Sequence, residues 1–216
     1  VVSLLEGGAG TPEIASATLE ASKAGFQKAA KDEGMLHTAW LLTQVVSAAR
    51  SPNFSSSLNN AGLDVENNPG LLDIVGAFTD AVDGRYRETG GRTDVGEMAQ
   101  MAAAETITSL IGRETQTLFG TSPADVQDAF KKFSTTKQFG TLAREFFSRF
   151  TQRYLSYFLS RELAKHIGGE HRFANIKEHQ DFVKALNTHC VQASEIVEKF
   201  SGGWFSKTKF LEGQIT

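Results

Sequence analysis

Histidines, a lone cysteine and a glycine-rich start are the residues of this sequence with the most evident capacity for chemistry. The histidines are His37, His166, His171, His179 and His189, and the last four lie near Glu170, Glu178 and Cys190. A zinc centre would need three or four such groups converging at about 2 Å. These spacings contain no HExxH, no CxxC and no finger-type histidine pair, so no metal is expected. His166 is expected in the last turn of its helix, where the dipole favours the charged ring. His189 is expected at a helix interface, and His37, on one helical face with Trp40 and Leu41, in the core. Cys190 as a nucleophile would need a base and solvent access, and its place on an apolar seam argues against access. The run GGAGT at 7–11 lacks the Gly-Lys-Ser/Thr ending of a phosphate loop and follows no strand. Paired carboxylates abound on helix faces, but none sits in an apolar setting that would shift its pKa. No catalytic constellation results, and the expectation is a non-enzymatic protein without a cofactor.

The elements that would position these residues are helices. Helix punctuation recurs along the chain, while alternating runs rich in Val, Ile and Thr are nearly absent. The expected fold is all-α: a multi-helix bundle in which a long central aromatic-rich helix, about 137–167, packs against a C-terminal helix, about 176–201. Thr11 and Pro12 supply a cap and a first-turn proline for a helix to about Asp32, which Gly34 interrupts or kinks before an apolar helix to Arg50. Asn, Ser, Gly and Pro make 51–68 a loop or linker by composition. Asn68 and Pro69 open the next helix, which Gly84 is placed to end. Asp94 with Glu97, and Ser122 with Asp125, have capping-box spacing and open helices of roughly 94–118 and 123–133. The C-terminal helix is expected to stop at Gly202 and Gly203. The domain reading is an N-terminal helical segment 1–50, a linker 51–68 and a bundle 69–216, compatible with one domain overall.

Composition agrees with an ordinary soluble chain, with 40% hydrophobic residues and 22% charged ones. No apolar run approaches the roughly 18 residues of a membrane span. A single cysteine favours a reducing, cytoplasmic setting. The sequence starts at Val1 without the basic start of a signal peptide, which reads as a trimmed N-terminus.

The densest stretch of the chain is 139–163, which holds seven aromatic rings and four arginines. At about 100° per residue, Phe139, Leu142, Ala143, Phe146, Phe147, Phe150, Tyr154, Tyr157 and Phe158 share one arc and are expected to be mostly core. Arg144, Glu145, Ser148, Arg149, Gln152 and Ser156 occupy the other side. Arg153 and Arg161 fall inside the aromatic arc, where a charge needs a partner. A ring-stacked guanidinium or a docking surface would answer that need. Leu155, Leu159 and Leu163 fall outside the arc, so the C-terminal half is apolar nearly all round. Val183, Leu186, Cys190, Ala193, Val197 and Phe200 form a heptad-like seam facing the aromatic helix.

The tail "GGWFSKTKFLEGQIT" interleaves Trp204, Phe205 and Phe210 with Lys207 and Lys209 and suggests no convincing helix. It has three readings: a plug folded back on the bundle, protein-interface anchors, or stacking on single-stranded nucleic acid. Arg153, Tyr157, Arg161, Trp204, Phe205, Lys207 and Phe210 are therefore the candidate partner-binding residues.

Charge is unevenly divided. Residues 1–130 hold 8 Lys+Arg against 17 Asp+Glu, a net of −9, and 131–216 hold 14 against 8, a net of +6. Mutual attraction of the halves or a protein partner explains this better than a basic face for nucleic acid, because no dense cationic block is present. Nucleic-acid binding by the basic C-terminal half remains the alternative function.

The segments "FGTLAREFFSRFTQRYLSYFLSRELAKHIG" and "HCVQASEIVEKFSGGWFSK", with the rhythm of "LLDIVGAFTDAVDGRYRETGGRTDVGEMAQMAAAETI", resemble helical accessory proteins of bacterial anti-phage operons, the B component of Qat-type defence systems. The sequence from Val1 does not include the Gly, Ser and Pro-rich leader of that group, as expected of a trimmed N-terminus. The resemblance implies a non-catalytic part of a multiprotein defence assembly. Its partners there would be an ATPase, a nuclease and an enzyme similar to deazaguanine synthases. It transfers no catalytic residue.

Overall fold

The computed structural model describes residues 10–115, 121–163 and 176–212, with side chains described for all of these but Thr11, Leu19, Ala21, Lys23, Ala24, 158–163 and 208–212. The described chain is all-α. Its helices are α1 (Thr11–Ala21), α2 (Lys23–Ala29), α3 (Glu33–Ala48), α4 (Phe54–Asn60), α5 (Leu71–Thr89), α6 (Asp94–Thr115), α7 (Pro123–Phe133), α8 (Thr136–Leu163), α9 (Ile176–Ala193) and α10 (Glu195–Glu212).

Local chemistry sets several boundaries. Ser122 and Asp125 cap α7 reciprocally: the Ser122 amide donates to Asp125 Oδ2 at 2.8 Å and the Asp125 amide to Ser122 Oγ at 3.2 Å. Asp32 starts α3 by accepting from the Met35 amide at 2.9 Å, which puts Gly34 inside the first turn rather than at a kink. The cap of α6 is Thr93, whose Oγ1 accepts from the Gly96 amide at 3.0 Å, one residue before the expected Asp94. The expected loop at 51–68 contains α4. Phe54 and Leu58, four residues apart, are both buried in the main apolar cluster with Leu63 and Val65, and this burial outweighs the turn-forming Asn and Ser around them. Asn59 latches the following connection, donating to the Val65 carbonyl at 3.1 Å and accepting from its amide at 2.8 Å. Helix α5 starts after Pro69, at Leu71, and runs through Gly84. It ends at Gly90, whose φ of +96° closes the helix in the left-handed conformation.

Two helices organise the packing. α6 packs against α3, α5, α7 and α8, and its buried Ala99, Ala102, Ala103 and Thr106 let those neighbours approach closely. α8 packs against α6, α7, α9 and, most extensively, α10. Neighbours on four sides explain why Leu155 and Ser148 are buried although they lie off the aromatic arc. Most of the arc is core, with Phe139, Leu142, Ala143, Phe146, Phe150 and Tyr154 buried, Phe147 half-buried and Tyr157 exposed.

The C-terminal region differs from expectation. It forms two helices that divide at Ser194, whose Oγ donates to the Cys190 carbonyl at 2.7 Å. α9 buries Phe182, Leu186 and Cys190 and lies against α1 as well as α8. The anticipated seam therefore holds at Leu186 and Cys190, with Val183 and Val197 half-buried against the core, and fails at Ala193 and Phe200, which are exposed. Gly202 and Gly203 do not stop a helix. They lie inside α10, which runs antiparallel to α8: a methyl on Gly140 would overlap the Glu198 carbonyl oxygen, and one on Gly202 would overlap that of Thr136. The helix backbones touch at this crossing.

Candidate partner-binding groove

The helix crossing places α10 so that Phe205 lies flat on Phe139, with ring centroids 4.0 Å apart and planes 10° apart. Phe205 is 1% exposed. As a candidate for direct partner contact it is corrected: its ring is part of the core, because the tail is a docked helix. The plug reading of the tail is the one this contact resembles most. Trp204, the preceding residue, is 49% exposed, with its ring 6.5 Å from Phe139. Lys207 is exposed on the same helix.

Trp204 forms one rim of an apolar groove of about 340 Å³. Its floor is Phe139, Leu142, Ala143 and Phe146 of α8, with half-buried Phe147. The opposite rim is α3, which presents Leu36, Ala39, Trp40 and Thr43 at the i, i+3, i+4 and i+7 spacing of one helical stripe. Leu36 is 54% exposed. On α10, Ile196, Phe200 and Trp204 recur at every fourth position and are all exposed, Phe200 at 73%.

Arg153 and Tyr157 do not face this groove. Arg153 Nη2 meets Glu105 Oε2 at 2.7 Å, so its charge is answered by a carboxylate of α6 rather than by a stacked ring. Arg149 also reaches Glu105, at 3.8 Å, and pairs with Glu145. The Tyr157 hydroxyl donates to Asp94 Oδ2 at 2.7 Å. Lys132 meets Glu114 at 2.8 Å, and Arg144 joins α8 to α10 through Glu195 at 3.2 Å and Glu198 at 3.0 Å. Four cationic groups of the basic half, Lys132, Arg144, Arg149 and Arg153, are thus paired with carboxylates, two of which, Glu105 and Glu114, belong to the acidic half. The side chains of Arg161 and Phe210, and residues His166, Glu170 and His171, lie outside the described residues.

The described residues include no group of three His, Cys, Asp or Glu placed to hold a metal ion. His37 stacks on Trp40, centroids 5.5 Å apart and planes 23° apart. Burial, aided by Arg85, lowers its pKa, which favours the uncharged ring. Cys190 is fully buried, and that burial pushes its thiol up to about 11. We expect a disulfide reagent at mildly alkaline pH to modify Cys190 no faster than the protein unfolds. Immediate stoichiometric labelling of native protein would contradict its placement.

Leu36, Trp40 and Phe147 complete the groove, and sequence reasoning did not assign Leu36 or Trp40 to a surface. The available signal was the width of the apolar stripe in "MLHTAWLLTQVV", broader than a single buried face requires. No described helix is long and apolar enough to cross a membrane. Set against models of known protein families, curated proteins and solved structures, the chain matches none.

Proposed function

We propose that the chain is a non-enzymatic helical interaction component, which seats the apolar face of a partner protein's helix in the groove between α3 and the α8–α10 pair. The observation that carries this reading is an open apolar recess rimmed by half-exposed Leu36 and Trp204, continued along α10 by Phe200. Side chains at i, i+3, i+4 and i+7 of an amphipathic helix fit such a recess, and a half-exposed tryptophan at its rim is the residue type most often dominant in binding energy. The resemblance to Qat-type B components supports placing the protein in a bacterial anti-phage assembly in the cytoplasm. The partner in that setting is a product of an adjacent gene, an ATPase or a deazaguanine-synthase-like enzyme.

The test is co-purification of the chain with the products of its neighbouring genes, followed by size-exclusion chromatography. Trp204→Ala and Leu36→Ser should each weaken the complex by about 2 kcal/mol, roughly 30-fold in affinity, while leaving the fold intact. Unchanged complexes with both variants would remove the groove from the interface. A complex with an oligonucleotide that weakens steeply with salt would favour the basic half as the working surface instead.

A further inference from the structure

Trp40 also lines a second groove, of about 540 Å³, between α3, the α4–α5 connection and α5. One wall is the stacked pair of Trp40 and His37. The floor is built of small residues: Ala77, Ala81 and Gly84 of α5 and Ala61 and Gly62 of the connection line the groove. The polar edge is acidic. The side-chain carboxylates of Asp64 and Asp80 have no hydrogen-bond or ion-pair partner among the described residues, while Glu88 meets Arg85 at 3.5 Å, both exposed. Three carboxylates thus face one guanidinium, within the acidic N-terminal portion of the chain.

We propose that this groove takes an arginine-bearing segment of a partner protein, with a guanidinium laid on the Trp40–His37 wall and its N–H groups directed at Asp64 and Asp80. Charge complementarity selects a cation and excludes a phosphate backbone. The flat aromatic wall selects a planar cation over an ammonium, since guanidinium stacks on indole and meets carboxylates in a fork that lysine cannot form. A coordinated metal ion is not the fit, because these carboxylates do not converge with a third ligand. This inference does not depend on the apolar groove being occupied.

The test uses the full chain carrying Trp204→Phe, so that Trp40 is the only tryptophan, titrated with a short acetylated arginine–glycine repeat peptide. The expected result is a saturable change in Trp40 fluorescence that weakens with added salt. Binding should fall roughly tenfold or more with the citrulline counterpart and in the Asp64→Asn, Asp80→Asn double variant, both positions being exposed and tolerant. The lysine counterpart should bind more weakly than the arginine peptide. Absence of a saturable response, equal binding of the citrulline peptide, or an unaffected double variant would overturn the proposal. Lysine binding as tight as arginine would remove the stacked guanidinium.

Discussion

Replacing Phe205 by alanine is expected to lower the stability of the whole protein by about 3–5 kcal/mol. The ring is 1% exposed and face to face with Phe139, so its loss removes buried apolar area, leaves a cavity and ends an aromatic pair worth about 0.5–1.5 kcal/mol beyond its area. Urea unfolding should show the midpoint falling with little change in slope. The neighbouring Trp204→Ala, at a half-exposed position, should cost far less. A Phe205→Ala protein within about 1 kcal/mol of wild type would show that α10 is not docked on α8.

The second large effect separates two adjacent glycines. Gly202→Ala should destabilise by about 1–3 kcal/mol, because the new methyl meets the Thr136 carbonyl and neither backbone can retreat without opening the helix pair. Gly140→Ala should behave alike against the Glu198 carbonyl. Gly203→Ala should do the opposite and stabilise by roughly 0.5–1 kcal/mol. Its added methyl meets nothing, and alanine is the better residue inside a helix. Thermal melts of the variants would show the change of sign, and equal shifts at 202 and 203 would refute the close crossing.

These glycines also show where the sequence is legible and where it is not. A glycine inside an apolar helical pattern marks either an end or a place where backbones touch. The residues nearby do not distinguish the two, since the deciding partner, Thr136, lies far away in the chain. The same ambiguity made Gly84 a plausible stop when Gly90 was the real one. Some signals carried by near neighbours were legible, such as the Ser122 and Asp125 cap and most of the aromatic arc of α8, whereas the spacing of Asp94 and Glu97 misplaced the cap of α6 by one residue. Signals carried by distant partners were not: Arg153 required a counter-charge, but nothing local pointed to Glu105. α4 was missed because its two apolar anchors, Phe54 and Leu58, are outnumbered by turn formers, and burial counted for more than propensity. Both grooves fall in the illegible class, the apolar one because it joins 36–43, 139–147 and 201–204, which are remote in sequence, and the other because its lining is gathered from three separate elements between 37 and 88.

Trp40 belongs to both recesses, so an occupant that tilts its indole in one necessarily reshapes the other. Thermodynamic reciprocity then fixes the outcome: whatever factor the first guest imposes on the second, the second returns to the first. A single ring would make the two recesses one coupled device, able to register whether both are filled at once.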